Sequence, residues 1–117
     1  MVFRPAGRIF LGMNTLHRYA NLTDLMSAVG FLLLRWGWVE RRLNSGPFPS
    51  ELLDVRQMRN RICHGLQAAS ADPNCADEPT IRGFDLNGAA WTYSYSDLLA
   101  AIQALESAGG RQERATD

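Results

Sequence analysis

Between Asn21 and Leu43 the apolar residues Leu25, Met26, Val29, Leu32, Leu33, Trp36 and Val39 recur at three- and four-residue spacing, the mark of one helix face. Thr23 is a good N-cap, so the spacing predicts a helix from Thr23 to about Leu43, ending on Arg41 and Arg42, where cations meet the negative end of the helix dipole. Pro47 and Pro49 then enforce a connection. A second amphipathic helix starts at Ser50, with Glu51 in its first turn, and carries the stripe Val55, Met58, Ile62 and Leu66; Gly65 is placed to end it at a left-handed cap. From Gln67 to Pro79 the chain is rich in Ala, Ser, Asp and Pro and reads as a loop.

Beyond that loop the period changes from helical to alternating. Thr80 to Leu86 and Ala89 to Tyr95 read as a β-hairpin joined by Asn87-Gly88, a pair suited to a tight type I′ turn. Trp91, Tyr93 and Tyr95 share one face, which would seal the hairpin against the helices. Ser96-Asp97 caps a last helix with Leu98, Leu99, Ile102 and Leu105 on one face, stopped by Gly109-Gly110. Arg8 to Tyr19 allows a short helix that Gly12 and Asn14 weaken. The expectation is one mainly α domain over residues 1–108, a small helical bundle with a β-hairpin between the second and last helices, and a disordered polar tail over 109–117.

With 117 residues the chain has room for one core and not two. Its formal net charge is zero, yet the charge is lopsided. Residues 1–66 hold nine arginines against four acids, a balance of +5, and residues 67–117 hold three against eight, a balance of −5. A basic front half suits a polyanionic partner, while the balanced total argues against a general nucleic-acid coat protein. Cys63 and Cys75 make no disulfide framework and, with His17 and His64, show no zinc spacing; Cys63 reads as a small packed thiol. Asp54, Asp72, Asp77 and Glu78 form no arrangement that demands a metal, and no cofactor is expected. Arg35 interrupts the apolar run Val29 to Leu34 well short of a membrane span, and no signal peptide is visible; a cytoplasmic protein with no membrane partner is expected.

The densest chemistry lies in Arg59-Asn60-Arg61-Ile62-Cys63-His64, at the end of the second helix. Asn60 and His64 are four residues apart and share a face, off the stripe of Val55, Met58 and Ile62. Arg59 lies about 140° round from His64, and its long side chain can swing toward the same surface. Arg56 sits on the Asn60–His64 edge, while Arg61 projects away from it; both are candidates for substrate binding. An imidazole can take or give a proton near neutral pH while a guanidinium stays charged, a combination suited to phosphodiester chemistry.

An arginine followed by a polar residue and, after three more, a histidine at the end of a helix resembles the signature of the HEPN superfamily, many of whose members are metal-independent ribonucleases. Arg59, Asn60 and His64 match it position by position. The resemblance covers residues 22 to 108 and implies a HEPN-like bundle that cleaves RNA through its own 2′-hydroxyl. On that reading His64 moves the proton, Arg59 stabilises charge on the phosphoryl oxygens and Asn60 orients the phosphate or the imidazole. It also implies a homodimer in which two motifs face one cleft, and a role as a toxin or phage-defence effector with an antitoxin or other regulatory protein as partner. Leu66 stands where a subset of the family has a modifiable tyrosine, which puts that form of regulation in doubt. The competing reading is a non-catalytic HEPN-like module that binds RNA, nucleotide or a protein through the same surface. On the first long helix, Trp36 and Trp38 point about 200° apart, which would send one to the core and the other to a partner subunit.

Overall fold

A computed structural model describes residues 20–43, 46–74 and 76–116, with side chains through Gly109. The possible helix over Arg8 to Tyr19, His17 and Cys75 lie outside the described residues. The described chain is mainly helical, with a small three-stranded antiparallel sheet.

Helix α1 runs over Leu22–Arg42. Its cap is Asn21 rather than Thr23, because Asn21 has an acid three residues on. The Asn21 side chain accepts from the Asp24 N–H at 2.9 Å, and the Asp24 carboxylate accepts from the Asn21 N–H at 3.1 Å. Leu25, Ala28, Val29, Leu32, Trp36 and Val39 form the buried face. By length and composition α1 could cross a membrane, since Arg35 does not break it; in this fold its buried face lies in the core. Arg35 reaches across to Glu106 at 3.4 Å, a half-exposed ion pair.

A single 3-10 turn, Ser50–Leu52, leads into helix α2, Leu53–Gly65, which buries Val55, Met58 and Ile62. The left-handed cap expected at Gly65 is absent; Gly65 is the last helical residue, and Leu66 turns straight into extended backbone at φ −64°, ψ 124°. Gly65 serves close approach instead. A Cβ there would sit 1.9 Å from the Phe84 carbonyl oxygen.

That direct exit creates a strand where a loop is expected. β1, Leu66–Ser70, pairs antiparallel with β2, Thr80–Phe84, in the register Ser70↔Thr80, with a bulge between Leu66 and Ala68. Ala68, Ala69 and Ser70 have little strand preference of their own, so pairing with β2 decides their conformation. β3, Ala90–Ser94, completes the order β1-β2-β3, with Gly83 opposite Trp91.

The hairpin is present, but its turn is longer than two residues. The Asp85 N–H donates to the Ala89 carbonyl at 2.9 Å and the Gly88 N–H to the Asp85 carbonyl at 3.0 Å, with Gly88 at φ 85°. Asp85 decides this: its Oδ1 accepts from the N–H groups of Asn87 and Ala89, both at 2.9 Å.

Helix α3 spans Tyr95–Thr116. It starts earlier than Ser96-Asp97 implies, because Ser94 and Asp97 exchange cap hydrogen bonds, Asp97 N–H to Ser94 Oγ at 3.1 Å and Ser94 N–H to the Asp97 carboxylate at 2.8 Å. The Tyr95 N–H meets the Pro79 carbonyl at 3.0 Å, and Ser96 donates to the Glu78 carboxylate. Tyr95 is therefore helical and leaves the strand face of Trp91 and Tyr93. Nor do Gly109 and Gly110 stop the helix, whose backbone continues through the expected tail to Thr116. Gly109 is there for packing: a Cβ would fall 2.2 Å from the Trp38 ring. Trp38 thus packs within its own chain, with the Arg42 guanidinium 4.3 Å from its ring centre, while Trp36 lies in the core.

The core lies between α1, α3, α2 and the inner face of the sheet. Leu25, Leu32, Leu52, Ile81, Leu98 and Leu105 are fully buried, each contributing about 1.5–3 kcal/mol of transfer free energy.

Candidate active site on the outer face of the second helix

Burial of Val55, Met58 and Ile62 fixes the rotation of α2, and helical periodicity then turns Leu53, Arg56, Gln57, Asn60, Arg61 and His64 outward. These side chains form one wall of an open groove of about 560 Å³. The other wall is the end of β2 and its turn, Phe84, Asp85, Leu86 and Asn87. Gly65 forms the junction between the walls, where helix and strand backbones meet.

The motif residues fall unequally about this groove. Asn60 and His64, both exposed, line it together, as their four-residue spacing requires. Arg59 is half-buried and does not line it. Its Nη1 instead donates to Asn60 Oδ1 at 2.9 Å, so it is coupled to the groove through Asn60. The amide Nδ2 of Asn60 then remains the group with which that side chain can donate to a bound ligand.

Both substrate-binding candidates line the groove. Arg56 is held with its guanidinium 4.5 Å from the centre of the Phe48 ring, a cation–π arrangement that leaves its N–H edge available. Arg61 does not project away: it stands about 60° round from His64 and donates to Tyr93 Oη at 2.9 Å. Asp54, Gln57 and Arg61 also line a second open groove of about 600 Å³ on the other side of Arg61, bounded by Thr92, Tyr93 and the small residues Ala100, Ala101 and Ala104. Asp54 and Asp85 balance the charge of the two arginines in the first groove.

Phe84 and Leu86 are the groove residues that motif reasoning misses. The strand alternation holds the clue: Ile81 and Gly83 point inward, which turns Arg82 and Phe84 outward. Phe84 is 47% exposed and Leu86, at the turn, 88%. Cys63, expected to pack, is exposed beside His64. Among the described residues no three His, Cys, Asp or Glu side chains converge on a possible metal position.

Chemically, the described lining of the groove offers one imidazole, the carboxamides of Gln57, Asn60 and Asn87, the carboxylates of Asp54 and Asp85, and two guanidinium groups held by aromatic partners. No protein family, curated protein or solved structure matches this chain.

Proposed function

We propose that this protein is a metal-independent endoribonuclease. The observation that carries this reading is the placement of Asn60 and His64 together in an exposed, arginine-bearing groove, with Arg59 hydrogen-bonded to Asn60. His64 accepts the proton of the substrate 2′-hydroxyl, whose oxygen attacks the adjacent phosphorus. The P–O5′ bond breaks, a proton is delivered to the leaving 5′-oxygen, and the product ends in a 2′,3′-cyclic phosphate. Arginine stabilises the charge that gathers on the phosphoryl oxygens. One imidazole serves one proton transfer at a time, so a second copy of the chain supplies the other in a homodimer. A toxin or defence setting, with an antitoxin as regulator, accompanies this proposal.

The test is cleavage of end-labelled RNA by the purified full chain in EDTA. Cleavage is expected to persist, to leave cyclic phosphate ends and to fail where the cleaved nucleotide carries a 2′-O-methyl group. His64→Ala is expected to lower the rate on the order of 10²–10⁴-fold. Wild-type cleavage by a well-purified His64→Ala protein, or cutting at the blocked position, would overturn the proposal. Tight RNA binding with no cleavage of any substrate would favour the non-catalytic binding module instead.

A further inference from the structure

Resting on that reading and extending it, we propose that the groove between α2 and the β2–β3 turn is a nucleoside subsite, in which Phe84 and Leu86 hold the base of a nucleotide flanking the phosphate that Asn60 and His64 contact. Three observations support it. First, the two walls are chemically different and face each other. The α2 wall carries donors suited to a phosphodiester, Arg56, Asn60, Arg61 and His64, and the turn wall carries an exposed aromatic ring and an exposed leucine.

Second, among the described residues neither apolar side chain has a packing role that explains its position. Ile81, two positions before Gly83 on the inward face, is fully buried, whereas Phe84 and Leu86 lie outside the core. A phenyl face and a leucine edge bind a base by stacking and dispersion, which every base can supply. Third, the turn that carries Leu86 is braced rather than loose. Two N–H groups close onto Asp85 Oδ1, and Gly65 sets the Phe84 backbone hard against the end of α2. The separation of the walls is therefore fixed by the fold.

Charge narrows the ligand further. Arg56 and Arg61 are offset by Asp54 and Asp85, so the groove suits a ligand with a single phosphodiester charge better than a polyphosphate. Its volume of about 560 Å³ lies within the usual range for a small-molecule site.

The experiment titrates the full-length protein with a 2′-O-methyl adenylyl-adenosine dinucleotide, which cannot be cleaved, followed by NMR, with ribose 5-phosphate as a probe that has no base. Saturable shifts at Phe84, Leu86, Asn60 and His64 are expected. Phe84→Ala should weaken dinucleotide binding about 10-fold and Phe84→Tyr should restore it, whereas ribose 5-phosphate should not distinguish the three proteins. Leu86→Ala, at a position too exposed to threaten folding, should weaken the dinucleotide alone. Binding that ignores both Phe84→Ala and Leu86→Ala, or the absence of saturable shifts in the groove, overturns the subsite. The same holds if these substitutions dissociate a protein dimer while dinucleotide binding is absent. Parallel assays on ordinary RNA separate the two proposals: Phe84-dependent dinucleotide binding without RNA cleavage sinks the nuclease and leaves the subsite standing. Cleavage with Phe84-independent binding does the reverse.

Discussion

Replacing Gly65 by alanine sets two effects of opposite sign against each other at the base of the groove. Helix propensity favours the change, since alanine is better than glycine in a helix by about 1 kcal/mol. Contact opposes it: the new Cβ would lie 1.9 Å from the Phe84 carbonyl oxygen and 3.1 Å from its carbonyl carbon. Ordinary contact needs more than an ångström of additional separation. The obstacle is backbone, and it belongs to β2, which pairs with β3 at Phe84↔Ala90. Relief therefore requires moving a paired strand or tilting the end of α2. Overpacking of this kind costs about 1–3 kcal/mol, and the severity of this contact places it at the upper end. After the propensity gain, a net loss of about 2 kcal/mol remains, which lowers Tm by roughly 10 °C in a domain of this size. Gly37→Ala provides the control, because its Cβ would meet nothing within 4 Å in the middle of α1. It should stabilise by about 0.5–1 kcal/mol. Thermal and urea unfolding followed by circular dichroism on both variants gives the comparison. A Gly65→Ala protein at least as stable as the wild type, beside a stabilised Gly37→Ala, would refute the claim that close approach, rather than helix ending, fixes the glycine.

The remaining predictions concern the cap, the motif and association. Asn21→Ala removes one half of the α1 capping box and should cost about 1 kcal/mol in urea unfolding; an unchanged midpoint would contradict that role. Asn60→Ala detaches Arg59 from the groove, so its loss of RNA cleavage should be strongly non-additive with that of Arg59→Ala, and additive losses in a double-mutant cycle would show that the two act independently. Light scattering at micromolar concentration should give a homodimer mass, and a monomer mass with RNA cleavage preserved would refute the shared-cleft mechanism.

Long helices and the motif's shared face were legible because both depend on period. The spacing of Leu25 through Val39 and of Val55 through Ile62 needs only the geometry of a helix, and it correctly set Asn60 and His64 side by side on the outside. Boundaries were less legible, because caps are decided by reciprocal pairs: Asn21 with Asp24 and Ser94 with Asp97 prevail over the single residues Thr23 and Ser96. The strand β1 was hidden in a run of alanine and serine whose conformation comes from its partner. The glycines misled most. Gly65 and Gly109 look like helix ends by type, yet each is there because another atom, the Phe84 carbonyl or the Trp38 ring, occupies the space of a Cβ. Only Gly88, among the described glycines, uses a positive φ. Such contacts join residues 19 to 71 positions apart, which no local pattern encodes.

The same long-range contacts bear on how the chain could do chemistry. The motif is local, and a lone helix would present Asn60 and His64 just as this one does. What a lone helix lacks is an opposite wall and fixed arginines. Gly65 against Phe84 supplies the wall, Phe48 holds Arg56, and Tyr93 holds Arg61. Of the three arginines near the imidazole, the motif arginine is the one that stands outside the groove, tied to it through Asn60. Under the proposed ribonuclease reading, Arg56 and Arg61 would meet the phosphate in the ground state, and Arg59 would join when a second surface, or the moving phosphoryl group, comes to the Asn60 edge. Interactions realised only at that stage are the ones that accelerate a reaction. In that proposal the position of Arg59 and the one imidazole among the described groove residues both leave a role on the open edge of α2 for the proposed second copy, which would bring its own imidazole.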